Sequence, residues 1–321
     1  MFGIKKTKVA VVIACYRVKR QIMGVLSGIG KEVDRIYIID DKCPEKSGAY
    51  VQQKCRDKRV KVLYNEKNLG VGGAVIRGYQ QALRDQMDVV VKVDGDGQMN
   101  PALIPKFIAP IVSGQADFTK GNRFFALDTL HKMPSLRLFG NTVLSFISKI
   151  SSGYWDIMDP TNGFTAIHCK IIEHLPLARL AKRYFFESDM LFRLNILRAV
   201  VMDIPMKATY GDERSSLSIV RTVFTFPWKY LIRLFKRLFY NYFLRDFNIG
   251  SFSFILAVVF LGFSLVFGVM NIKKYFALEK GAPAGTVMTA ALPVILGVQF
   301  LLAAISYDIN SVPKDVLHIK L

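Results

Sequence analysis

Two stretches near the C-terminus, Ile249–Met270 (IGSFSFILAVVFLGFSLVFGVM) and Ala284–Ser306 (AGTVMTAALPVILGVQFLLAAIS), contain no charged residue. Nothing else in the chain narrows its fold as much. At ~1.5 Å rise per residue the first run reaches ~33 Å, enough to cross a hydrocarbon core of ~30 Å. The second is as long, and Pro293 is expected to kink it, which a membrane helix tolerates. Globular helices rarely stay uncharged on every face over such lengths. The two runs are therefore expected to span a membrane as a hairpin. The 321 residues leave room ahead of it for one domain of roughly 200–250 residues.

Apolar residues make up 51% of the chain, yet up to about Tyr240 they are mixed with charged ones. The formal net charge is +19, which suits either nucleic acid or an anionic membrane. Position decides between them. Ser218–Asp246 interleaves Arg221, Lys229, Arg233, Lys236, Arg237 and Arg245 with aromatic and aliphatic residues directly before the first span. That pattern predicts an amphipathic helix in an anionic headgroup layer. No recognition motif accompanies the charge, so nucleic acid is not an expected partner. The basic cluster also places this side of the membrane in the cytoplasm, giving a multi-pass protein of the inner or plasma membrane with a cytoplasmic head. The loop between the spans carries Lys273, Lys274 and Lys280 against Glu279, so the bias is moderate. Val9–Cys15 is too short for a signal-peptide core. Cys15, Cys43, Cys55 and Cys169 show no metal-ligand spacing and read as reduced thiols.

Short β-branched runs at Lys8–Cys15, Arg35–Asp40, Val60–Tyr64 and Val89–Val93 alternate with helical patterns. Such alternation predicts an α/β fold with a parallel sheet covered by helices on both faces. Ligands of these sheets bind at the carboxyl ends of the strands. Tyr16, Asp40-Asp41, the segment Asn65 to Asn68, and Asp94-Gly-Asp96 each follow one of the four strands, so all should meet on one rim. The strongest signal is Asp94-Gly95-Asp96-Gly97-Gln98. Two carboxylates on alternate residues at a strand end offer hard oxygen ligands for Mg²⁺ or Mn²⁺ and leave room for diphosphate oxygens. The glycines after Asn68 do not make a dinucleotide fingerprint: position 75 is Val, and no acidic residue ends a strand at the required distance downstream. They suit a helix N-terminus that approaches a nucleotide or neighbouring strands closely.

Tyr16, Asp40-Asp41, Asn68-x-Gly70-x-Gly-Gly73-Ala and Asp94-x-Asp96-x-Gln98 resemble, in order and spacing, the inverting family-2 glycosyltransferases of GT-A fold. The chain is similar in particular to the polyprenyl-phosphate glycosyltransferases, over about Lys8 to Ser218. Ala14-Cys-Tyr-Arg17 departs from the family's Pro-x-Tyr-Asn-Glu, which weakens any role for a carboxylate just after Tyr16. The resemblance implies a nucleotide-diphospho-sugar transferase domain with a Rossmann-like sheet, over residues 1–217. Basic amphipathic helices over 218–247, a transmembrane hairpin over 248–307 with spans at about 249–270 and 284–306, and a cytoplasmic tail over 308–321 would complete the chain.

Carried over residue by residue, the resemblance implies that Tyr16, Asp40, Asp41, Asn68, Gly70 and Gly73 form the nucleotide-sugar side. Asp94 and Asp96 would hold the metal and diphosphate, assisted by Gln98. Arg123 in Gly121-Asn-Arg-Phe-Phe125, and Arg137 with Asn141, match acceptor-phosphate positions. Arg137 and Asn141 are four apart and would share a helix face; a guanidinium suits phosphate by bidentate bonding. Asp159-Pro-Thr-Asn-Gly-Phe164 resembles the family's Asp-x-x-Ser-Gly-Phe, with Asn162 in place of Ser, so Asp159 is expected to face the sugar or reacting centre. Glu187 or Asp189 would contact sugar hydroxyls or else cap the helix they begin. Arg214, in Gly211-Asp-Glu-Arg-Ser-Ser216, would close over the diphosphate.

The expected reaction moves a sugar from a nucleotide diphosphate-sugar to a membrane polyprenyl phosphate with inversion. A phosphate monoester has its second pKa near ~6 and needs no strong base to attack. A processive polysaccharide synthase is the alternative enzyme, but no Gln-x-x-Arg-Trp precedes Trp155 or Trp228, and two spans are few for a translocation channel. A catalytically silent membrane scaffold on the same fold is the alternative outside enzymes. Partnership with a second copy of the chain stays open.

Overall fold

The computed structural model describes residues 6–125, 135–207 and 219–321, with side chains 135–139, 141 and 219–224 outside that description. The strands are β1 (Val9–Cys15), β2 (Arg35–Asp40), β3 (Val60–Tyr64), β4 (Val89–Asp94), β5 (Phe118–Asn122), β6 (Thr165–His168) and β7 (Val201–Pro205). The helices are α1 (Ile22–Ser27), α2 (Ser47–Lys54), α3 (Val71–Arg84), α4 (Ile104–Val112), α5 (Ser135–Ser152), α6 (Cys169–His174), α7 (Phe186–Leu197), α8 (Ile219–Phe239), α9 (Ile249–Ala277), α10 (Ala284–Asn310) and α11 (Leu317–Lys320). Two compact units result: Met1–Leu234 with Pro313–Leu321, and Phe235–Val312.

The first unit is built on a seven-stranded sheet in the order β3-β2-β1-β4-β6-β5-β7. Pairing is parallel throughout β3-β2-β1-β4, and β6 alone runs against its neighbours. The four strands expected from the sequence are β1 to β4. Val9, Val11 and Ile13 of β1 and Val89, Val91 and Val93 of β4 are buried in one core with Ile22 and Val25 of α1 and Ile104, Phe107 and Ile111 of α4. Burial on both faces is why β1, and β4 but for Lys92 and Asp94, are apolar.

The C-terminal tail belongs to this unit. Asp117 accepts from the backbone N–H of Leu317 and His318 at 2.9 and 2.7 Å and pairs with His318 Nδ1 at 2.8 Å. The His318 ring stacks on His168 with centroids 4.2 Å apart, and Lys170 Nζ donates to the His318 carbonyl. Asp117 also accepts from Val200 N, so one buried carboxylate joins the entry of β5, the entry of β7 and the tail.

In the second unit α9 and α10 pack side by side. Gly297 lies against Leu261, Ser264 Oγ donates to the Ala290 carbonyl, and Phe260 stacks on Phe300. Only 17% and 6% of their most apolar stretches are buried, so Val259, Leu265, Met270, Ile295 and Leu302 face outward. Core helices of a soluble protein would be covered; lipid-facing helices need no such cover. The helix α10 runs unbroken through Pro293. Asn248 Oδ1 accepts from Gly250 N and Ser251 N, and Ser251 Oγ accepts from Asn248 N, a capping box that starts α9 sharply. A π-helical turn, Tyr240–Arg245, precedes it. Arg237 grips Asp308 with two bonds of 2.6 and 3.0 Å, and Tyr242 OH donates to the same carboxylate.

Candidate active site

Because β1 to β4 are parallel and β6 is antiparallel to β4, the carboxyl ends of the first four strands share a rim with the amino end of β6. Tyr16 leaves β1 there with its ring exposed, and the Arg17 guanidinium lies 5.5 Å from that ring. Asp40 ends β2 and Asp41 is the first residue beyond it, and the two side chains take different partners. Asp40 turns inward and accepts from Cys43 N and Gly48 N, both at 2.7 Å, shaping the turn into α2. Asp41 accepts from Asn65 Nδ2 at 2.7 Å, Leu69 N at 2.9 Å and Gly70 N at 2.7 Å, and so organises the loop that carries exposed Asn68. Gly70 has φ +81, a left-handed conformation that explains a glycine there. Gly73 N donates to the Lys182 carbonyl, so the start of α3 closes on the segment before α7. The glycine-rich stretch therefore serves a backbone-to-backbone approach.

Asp94 ends β4 and Asp96 follows in the turn, both partly exposed; Gln98 N donates to Asp96 Oδ1 at 3.0 Å. Among the described residues no cluster of three or more His, Cys, Asp or Glu surrounds them. Two hard carboxylates suit a divalent cation such as Mg²⁺ or Mn²⁺, which would need further oxygen donors from outside this pair.

Beneath the rim lie two buried lysines that the sequence reading did not assign. Lys92 and Lys120 flank Thr165 in the sheet register. Lys92 Nζ donates to Asp94 Oδ1 at 2.8 Å and to the Gly163 carbonyl at 3.0 Å, and pairs with Glu187 Oε1 at 3.2 Å. Burial opposes its charge, but Asp94 and Glu187 outweigh burial and hold its pKa above the ordinary lysine value. Lys120 Nζ donates to the Asn162 carbonyl. Burial pushes its pKa down to about 8, with Glu187 and Asp159 resisting. For Lys92 a lysine inside an otherwise apolar strand is the signal in the sequence; Lys120, in Phe-Thr-Lys-Gly-Asn, carries none.

Asp159 is fully buried and receives Arg123 Nε at 2.7 Å and Arg123 Nη2 at 2.9 Å. One edge of the Arg123 fork is thereby committed to Asp159. Neither Glu187 nor Asp189 caps α7. Glu187 reaches Lys92, whereas Asp189 takes Arg193 at 3.1 Å, Arg233 at 2.7 Å and Ala181 N at 2.9 Å. Residues two apart on a helix face different ways, and these two divide accordingly. On β7, Asp203 accepts through Oδ2 from Asn122 Nδ2 and Met158 N, while Oδ1 is buried without a partner. Burial raises its pKa to about 6. Arg137 and Asn141 lie on α5, with side chains outside the description, and Arg214 lies outside the described residues. Cys15, buried beside Asp40 and Cys43, has its pKa pushed up chiefly by burial, so it is an unreactive thiol.

Residues 10–175 match the family described as glycosyl transferase family 2. A UDP-N-acetylglucosamine–dolichyl-phosphate N-acetylglucosaminyltransferase of Methanococcus voltae is 26% identical over 215 residues, 63% of this chain and 85% of that protein. An undecaprenyl-phosphate mannosyltransferase of Micrococcus luteus is 26% identical over 190 residues, 58% of this chain and 77% of that one. Among solved structures, glucosyl-3-phosphoglycerate synthase from Mycobacterium tuberculosis, in complex with Mn²⁺, UDP and phosphoglyceric acid, aligns with a TM-score of 0.54 at 15% identity. It covers 72% of this chain and 78% of that one. At that identity the likeness speaks to the fold, which is of GT-A type.

Proposed function

The chain belongs to glycosyl transferase family 2, and on that footing we propose that it transfers a sugar from a nucleotide diphosphate-sugar to a polyprenyl phosphate at the cytoplasmic face of a membrane, with inversion. The observation that carries the reading is the Asp94/Asp96 pair at a strand end, in a chain whose C-terminal helices present uncovered apolar faces. The names of the Methanococcus and Micrococcus relatives support a lipid phosphate as acceptor. Trp228, Leu231, Phe235 and Phe239 on α8 are exposed at spacings of three and four residues, a stripe suited to lying in a headgroup layer. The return of the tail to the catalytic unit supports a hairpin, because a chain that leaves a domain and returns to it crosses a membrane an even number of times.

Asp94 and Asp96 would hold the divalent cation, which would supply positive charge to the diphosphate leaving group. Asp41 fixes the loop against which the nucleoside rests, and Tyr16 and Asn68 line the same rim. Arg123, oriented by Asp159, directs its guanidinium at the acceptor phosphate, and Arg137 and Asn141 are assigned to the same phosphate. Arg214 is assigned to the diphosphate, and the Gln98 backbone N–H keeps Asp96 in place. No residue is required as a strong base, since the acceptor is already ionised at neutral pH. The contribution of these side chains is alignment and charge.

Membranes of cells expressing the chain, supplied with radiolabelled UDP-GlcNAc, UDP-glucose and GDP-mannose in turn, test the reading. One donor should label the organic phase in the presence of Mg²⁺ or Mn²⁺, and Asp96→Ala should remove that label. Label that persists in Asp96→Ala at the wild-type rate would contradict the assignment.

A further inference from the structure

Lys92 sits in the middle of an apolar strand with 1% of its side chain exposed. An ammonium buried so deeply needs an acceptor for each of its three N–H groups. Asp94, the Gly163 carbonyl and Glu187 supply them. A positive charge therefore rests on one oxygen of the first carboxylate in the Asp94/Asp96 pair, with Glu187 behind it as counter-charge. Gly163 closes the arrangement from above: a Cβ there would stand 2.4 Å from Asp94 Oδ2 and 2.5 Å from Lys92 Nζ.

We infer that Lys92 is a positioning residue acting as an internal counter-cation on Asp94, so that the Asp94/Asp96 pair takes up its divalent cation together with the donor diphosphate rather than ahead of it. The inference rests on reading that pair as the cation site. A divalent cation arriving alone meets two carboxylates and, close behind them, an ammonium that repels it. The diphosphate brings the missing negative charge and the missing oxygen ligands. Binding of the two is then coupled, and by linkage each raises the affinity for the other by the same factor. Glu187 sets how much of the Lys92 charge Asp94 feels. Removing Lys92 and removing the Glu187 charge must therefore shift cation affinity in opposite directions.

The experiment is Mn²⁺ binding to the purified full-length protein in detergent, read from the electron paramagnetic resonance signal of free Mn²⁺ without nucleotide. Lys92→Met should bind Mn²⁺ about tenfold tighter than wild type, and Glu187→Gln about threefold or more weaker. A loosened fold would weaken both, so the opposed signs separate charge from damage. UDP and GDP, tried in parallel, should tighten Mn²⁺ binding to the wild type by about tenfold or more for the base the site accepts, and by much less in Lys92→Met. Unchanged or weaker Mn²⁺ binding by folded Lys92→Met overturns the inference. If that variant does not fold, Glu187→Gln decides: unchanged or tighter binding overturns it. Asp96→Ala distinguishes the two levels. If it leaves Mn²⁺ binding intact, the cation site itself is misassigned; if it abolishes binding while the Lys92 and Glu187 variants match wild type, the counter-cation role alone fails.

Discussion

Gly163→Ala adds a single methyl at the point where the Lys92–Asp94 pair is tightest. The new carbon would stand 2.4 Å from Asp94 Oδ2, 2.5 Å from Lys92 Nζ and 3.1 Å from Met99 Cε. Gly163 is not among the positive-φ residues, so alanine suits the backbone and the effect is one of space alone. Ordinary contact distances require the pair to give way by roughly an ångström. Lys92 is enclosed and held by three acceptors, so the movement falls on the 2.8 Å bond to Asp94 and on the aim of that carboxylate. Loss of one part-buried, charge-assisted bond corresponds to ~1.5–3 kcal/mol. If Asp94 is what aligns the donor diphosphate, kcat/KM for the nucleotide-sugar falls by roughly 10- to 150-fold. Steady-state kinetics with a saturating acceptor, beside a denaturant melt, separate loss of alignment from loss of fold. Gly24→Ala on α1, where nothing lies within 4 Å, is the control and should leave kcat/KM unchanged. A folded Gly163→Ala enzyme with wild-type kcat/KM would refute the role given to this contact.

Asp203→Asn should remove a pH-dependent loss of stability. A carboxyl raised from 3.8 to about 6 in the folded state is protonated there while still ionised when unfolded, so stability falls as pH rises between those values. The full difference is about 3 kcal/mol above pH 6; denaturant melts at pH 4 and pH 8 should lose most of their difference in the variant, and an unchanged difference would sink the argument. Arg137→Ala should raise KM for polyprenyl phosphate and lower kcat/KM by roughly 10- to 150-fold with nucleotide-sugar binding little altered, and Arg137→Lys should recover part of it. Weakened donor binding with unchanged acceptor kinetics would remove α5 from the acceptor site. Lys320→Cys and Gly281→Cys, both exposed, should be labelled by an impermeant maleimide from opposite faces of sealed vesicles, with Lys320→Cys on the face of the catalytic unit; labelling of both from one face would exclude the hairpin.

Much of this architecture was legible from apolar runs. The strand β1 and most of α9 and α10 are unbroken apolar stretches, and β2 to β4 are short runs rich in Val and Ile with few charges, so length separates strand from span. The later strands were not legible, for a physical reason: β5 is Phe-Thr-Lys-Gly-Asn, and its Lys120 and Asn122 are buried by partners far along the chain. A pattern of hydrophobicity cannot register polar burial that tertiary contacts make tolerable. Lys92 does interrupt an apolar run, but the partners that keep it buried, Glu187 and Gly163, are set by tertiary contacts. Asp94 and Asp96 were legible because their meaning lies in position at a strand end. The divergence of Glu187 from Asp189 follows from helix periodicity applied locally. Docking of the tail on Asp117 joins residues 201 apart and leaves no local mark.

The most direct test of the account supplies the purified protein with a radiolabelled nucleotide diphosphate-sugar, Mg²⁺ or Mn²⁺, and a short polyprenyl phosphate in detergent. The product is followed by partition into organic solvent and by mass spectrometry of the lipid. One sugar per lipid phosphate, formed only when donor, acceptor and cation are all present, is the expected result. Label that stays in water as free sugar, or that grows into a polymer, would contradict transfer to a polyprenyl phosphate.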